Sequence, residues 1–129
     1  MISFHSIPRL VVFVLISAIL ALYGIQVVAE NTYTADKAKS HIGERATVCG
    51  MVASAHFAAR SKGQPTFINL DKPYPNQIFT VLIWGSDRAK FGNPARDYLR
   101  KSICVSGAIQ EFRGTAEIVV RSPAQITSR

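Results

Sequence analysis

The chain is poor in the residues that metal and covalent chemistry require. It holds two cysteines, three histidines and eight acidic residues in 129 positions, and they are spread out. His41 and His56 stand in separate segments, with no Cys-x-x-Cys or His-x-x-x-His spacing around them, so no metal site is expected. The acids occur one at a time from Glu30 to Glu117, whereas a hard-cation site needs several oxygen ligands converging. There is no Ser-His-Asp order, no nucleophile elbow and no glycine-rich loop able to cradle a phosphate. No catalytic residue, metal or cofactor is therefore expected, and the chain reads as a non-enzyme. Internal repeats and low-complexity stretches are also missing, and the length leaves room for one compact domain.

What is abundant is apolar residues, and they are concentrated at the start. Residues 1–9 carry His5 and Arg9 with no acid, and residues 10–25 (LVVFVLISAILALYGI) contain no charge. This is the form of a signal peptide, with Val27 and Ala29 at the small-residue positions before a cut between Ala29 and Glu30. Residues 10–29 are also just long enough to cross a bilayer of about 30 Å. The alternative is thus an uncleaved anchor holding the domain on the periplasmic side of the inner membrane. Cleavage predicts a periplasmic or secreted protein; membrane contact is expected only without it. With residues 1–29 removed, Arg9 is lost and no acid, so the formal charge changes from +7 to +6. A basic balance favours anionic partners and says nothing about fold.

The remaining pattern is that of strands. Residues 34–41 (TADKAKSH) read as a brief helix stopped at Ile42-Gly43, within a lead-in of residues 30–45. Residues 46–57 (ATVCGMVASAHF) alternate as one long strand, with Gly50 marking a bend or bulge. Residues 66–70 (TFINL) and 78–84 (IFTVLIW) follow, separated by the proline-flanked Tyr74 loop 71–77. Residues 85–100 contain turn signals and a helical turn, and residues 102–112 and 116–121 form a last hairpin. The tail 122–129 is expected to pack little. Three strands, a small helix and two strands is the order of the OB fold, a five-stranded Greek-key barrel over residues 46–126. An SH3-like barrel lacks an equivalent helix at that point. The predicted class is all-β with one or two short helices.

Cys49 and Cys104 fall in the middle of two strands that are neighbours in such a barrel, and in an oxidising compartment they are expected to form a disulfide. Two buried free thiols are the alternative, since cysteine packs well as a small hydrophobe.

The segments HIGERATVCG (41–50), ARSKGQPTFINLDKPYPNQIFTVLIWG (59–85) and ICVSGAIQEFRG (103–114) resemble a family of small bacterial exported OB-fold proteins assigned to nucleic-acid binding. They are also similar to the OB modules that accompany some secreted nucleases. The resemblance spans about residues 37–126. It implies the barrel and a nucleic-acid ligand class.

A nucleic-acid reading needs cations for phosphates and flat rings for bases. The candidates are Arg60 and Lys62 between the first two strands, Lys72 and Tyr74 in the next loop, and Arg113 at the last hairpin. Trp84 is the stacking candidate on the third strand, with Phe67 on the second. Phe79, Val81 and Ile83 share the opposite parity and are expected in the core. The expected partner is single-stranded nucleic acid or another polyanion bound without strong sequence preference. An envelope protein bound at a barrel edge, or at the Pro73-Tyr74-Pro75 loop, and an oligosaccharide stacked on Tyr74 and Trp84 are the alternatives.

Overall fold

The computed structural model describes Gly24 and residues 29–129. The signal-segment reading of residues 1–28 otherwise lies outside the described residues.

Seven strands are present: β1 (Thr32–Thr34), β2 (Arg45–Phe57), β3 (Thr66–Leu70), β4 (Phe79–Ile83), β5 (Ser102–Phe112), β6 (Thr115–Val119) and β7 (Ile126–Ser128). Five of them close a barrel in the order β2-β3-β4-β6-β5, with β5 returning to β2. All pairings within the wall are antiparallel except β4 with β6, which is parallel. This is the OB connectivity. The long strand β2 serves both halves of the wall because it pairs with β5 up to Met51 and with β3 from Val52 onward. The change of partner coincides with a register shift between Val52 and Ser54, where an extra residue bends the strand.

Alternation sends Val48, Val52, Ile68, Leu70, Phe79, Val81, Ile83, Ile103, Val105 and Ile118 into one core, each completely buried. Phe79, Val81 and Ile83 are inward as expected. β4 is buried at every position and is flanked by strands on both edges. A 3-10 helix, Ala35–His41, packs its fully buried Ala35 and Ala38 over β2, β4, β5 and β6. Two single turns, α1 (Gly85–Arg88) and α2 (Pro94–Asp97), occupy the β4–β5 connection. There the Asn93 side chain caps α2 by accepting from the Arg96 N–H.

Two expectations are corrected. The lead-in is more than a helix, because β1 runs parallel to β2, with Tyr33 opposite Val48. The tail is also ordered: Ser122 and Gln125 form a capping box around a 3-10 turn, Pro123–Gln125, and β7 pairs antiparallel with β5. β2 and β5 each have backbone groups that the barrel alone leaves unpaired, and β1 and β7 satisfy them.

Cys49 and Cys104 are directly opposite in the β2–β5 ladder, with Cα atoms 4.1 Å apart, and they are bonded. A disulfide of this kind points to an oxidising, non-cytoplasmic compartment.

Candidate functional site

The outer face of the barrel carries one unusual line of residues. Ser54 of β2 is the register partner of Asn69 on β3, Asn69 of Thr80 on β4, Thr80 of Glu117 on β6, and Glu117 of Gln110 on β5. A single polar row therefore crosses all five strands. The side chains are joined in two sections, Ser54–Asn69–Thr80 and Glu117–Gln110. The Asn69 amide donates to Ser54 Oγ at 3.0 Å, the Thr80 hydroxyl donates to Asn69 Oδ1 at 2.8 Å, and the Gln110 amide donates to Glu117 at 2.7 Å. Asn69, Thr80 and Glu117 are buried. Buried polar groups persist where they are hydrogen-bonded, and here the bonding fixes a rigid polar floor.

A groove of about 740 Å³ lies over this floor. Phe67, Tyr74 and Phe112 form its aromatic walls, together with His56. Tyr74 is 74% exposed and Phe112 53% exposed, so both side chains keep surface open to solvent. The Tyr74 backbone N–H donates to Ser54 Oγ, which ties the Pro73-Tyr74-Pro75 loop to the end of the row. Gln77 also lines the groove, and its Oε1 is buried without a hydrogen-bond partner. An acceptor in that state costs free energy until a donor meets it.

The predicted cations divide into two groups. Arg113 lines the groove, held at its mouth by a tight hairpin in which Arg113 and Gly114 both have positive φ, 49° and 81°. Its guanidinium lies 5.1 Å from the Phe112 ring centroid. Arg60, Lys62 and Lys72 are exposed on the two loops that also contribute Ala58, Ser61 and Tyr74 to the groove, but they do not line it themselves. Trp84 does not line it either; the ring packs on Gly63, where an added Cβ would stand 3.0 Å from it. The candidate residues thus converge only in part: Tyr74 and Arg113 face the groove, with Phe67. The row residues Ser54, Asn69, Thr80 and Glu117, which line the groove, and Gln110 at the end of the row escape sequence reasoning. Their one signal is a polar side chain inside an apolar strand, as in Asn69 of TFINL, and register alone aligns them.

A second polar cluster lies beside β1. The Glu44 carboxylate accepts from the Asn31 amide at 3.0 Å, from the Tyr33 hydroxyl, and from His41 Nδ1 at 2.9 Å. The carboxylate is acceptor-only when ionised, so the His41 proton is on Nδ1. The His41 ring stacks on Tyr33 at 3.7 Å between centroids. These bonds, led by the one from Asn31, hold the Glu44 carboxyl below its ordinary range, and the same carboxylate pushes the Tyr33 hydroxyl up. The cluster clips β1 and the Ala35–His41 helix to the start of β2. Among the described residues, no group of three His, Cys, Asp or Glu side chains is placed to hold a metal ion.

No family model matches the chain, and no curated protein matches it in sequence. Solved structures do match in fold. A chain described as an aspartyl-tRNA synthetase from Leishmania major Friedlin superposes with a TM-score of 0.51 at 9% identity, covering 89% of this chain and 25% of that one. The OBody AM1L10, solved bound to hen egg-white lysozyme, superposes with a TM-score of 0.54 at 17% identity, covering 81% of this chain and 98% of the OBody. This chain thus spans about a quarter of the synthetase and nearly all of the OBody. At these identities the likeness is one of fold, and it agrees with the OB connectivity of the wall.

Proposed function

We propose that this protein is an exported, non-catalytic OB-fold module that takes single-stranded nucleic acid, or a polyanion of similar form, into the groove above the polar row. The observation that carries the reading is the combination of exposed Tyr74 and Phe112 rings with a floor of fixed hydrogen-bonding groups. Rings of this kind stack bases without choosing among them. The buried, unpartnered Gln77 Oε1 calls for an N–H or O–H donor, and nucleobase amino groups supply one. Arg113 at the mouth and Arg60, Lys62 and Lys72 on the bordering loops then meet phosphates. The disulfide and the residues 1–29 leader pattern support action in the periplasm or outside the cell. Intact mass of the exported form tests the cut after Ala29.

Binding of the purified protein to labelled single-stranded DNA, RNA and acidic glycans at two ionic strengths tests the ligand class. Oligonucleotide affinity should fall steeply with salt, and R60Q/K62Q/R113Q should flatten the log–log slope by about 2 as three phosphate contacts are lost. Absence of oligonucleotide binding at low salt removes the reading.

One observation favours a second reading, an envelope protein partner. The OBody of the same fold is bound to a protein, lysozyme, and exposed Tyr74 and Phe112 suit a protein surface equally well. Binding that ignores salt would select it.

A further inference from the structure

The polar row ends at Gln110 on β5, and just beyond it is a second recess of about 370 Å³. Its polar lining is Arg45 at the start of β2, Gln110, Arg121 after β6, and Gln125. No acid lines it, and among the described residues neither arginine has an ion-pair partner. The Lys90 ammonium donates to the Arg121 carbonyl and is already matched by Asp87.

The fold holds the backbone around this recess firmly. Arg45 is the register partner of Ala108 in the β2–β5 ladder. The Gln125 carboxamide oxygen accepts from the Arg121 and Ser122 N–H groups, and its amide donates to the Ser106 carbonyl. The tail is thereby fastened across the recess, with the Arg121 backbone fixed at its rim. Arg45 and Arg121 thus both line one small recess that has no carboxylate in its lining. Like charges sharing one small recess disfavour each other. An anion between them removes the repulsion, and a tetrahedral phosphate accepts bidentate donation from both planar forks.

The position relative to the groove specifies the phosphate. Glu117 lies on the groove floor, Gln110 bonds to it and lines the recess, and Arg121 follows Glu117 by four residues, at most roughly 14 Å of chain. We infer that Arg45 and Arg121 form a phosphodiester site at the far end of the polar row, engaging the backbone of a strand whose bases occupy the groove. The link to the strand rests on the reading given under Proposed function; the anion site itself does not.

Two measurements on the exported protein separate the two claims. In the first, inorganic phosphate is titrated while the arginine Nε–H resonances are followed by NMR. Arg45 and Arg121 should shift together and saturate, and R45Q should abolish the shift at Arg121. Unsaturable shifts, or equal shifts at every arginine, overturn the anion site. The second compares R45Q/R121Q with wild type on strands of about four and about twelve nucleotides. Affinity for the longer strand should drop about tenfold or more at low salt, with a log–log slope smaller by about 1.4, while the shorter strand is unaffected. Equal losses on both lengths overturn the extended path. If wild type binds neither strand, the nucleic-acid reading falls and the phosphate titration alone decides the recess.

Discussion

Asp71 sits directly over Gly50: its carboxylate oxygen is 2.8 Å from where a Gly50 Cβ would stand, and that oxygen accepts the Met51 N–H at 2.9 Å. The glycine at the centre of the long strand β2 is therefore a site of close approach, and the bulge lies a few residues further on. Gly50→Ala forces the short Asp71 side chain off its hydrogen bond. The expected cost is about 1–3 kcal/mol in urea unfolding. In an Asp71→Ala background the same change should cost measurably less, because the clash partner is gone; additive losses would refute the contact.

The Cys49–Cys104 bond closes a loop with a sequence separation of 55 residues across the β2–β5 seam. On the chain-entropy model it contributes about 4 kcal/mol by restricting the unfolded chain. C49A/C104A should unfold at much lower urea than wild type, and reductant should lower the wild-type midpoint while leaving the double variant unchanged. Equal midpoints with and without reductant would contradict the prediction.

Glu44 gives the fold an acid-sensitive clip. The Asn31 amide, then the Tyr33 hydroxyl and His41, stabilise its ionised form, so its folded pKa lies below its unfolded value. A depressed carboxyl contributes stability that is complete above the unfolded value of about 4.3 and is lost as pH falls through the folded one. Melting temperature should therefore drop on acidification from about pH 6 to about pH 3. Glu44→Gln should flatten that drop and lower Tm at neutral pH. An unchanged acid limb in the variant would show that the clip plays no part.

The groove predicts a separation of ring effects. Tyr74→Ala and Phe112→Ala should each weaken oligonucleotide binding by about 1–3 kcal/mol, with little change in Tm because both rings are exposed. Trp84→Ala should leave binding unchanged and lower Tm, since its ring packs on Gly63 outside the groove. Fluorescence anisotropy and thermal unfolding on the same samples report both quantities; a binding loss confined to Trp84→Ala would move the site off the groove.

The sequence by itself determined the barrel. Period-two alternation in residues 46–57, 66–70, 78–84 and 102–112 marks strands, and the helical interruption before residue 102 selects OB order, because local pattern and turn chemistry act over a few residues. It also brought the two cysteines to adjacent strands, and Phe79, Val81 and Ile83 to the core. Only the tertiary structure decided the site. Ser54, Asn69, Thr80, Glu117 and Gln110 are distant in the chain and meet through register across five strands, and register is set by the closure of the whole wall. For the same reason β1 and β7, three residues each, are invisible in isolation. They form because β2 and β5 extend past the barrel seam and offer backbone partners that no local sequence signal encodes.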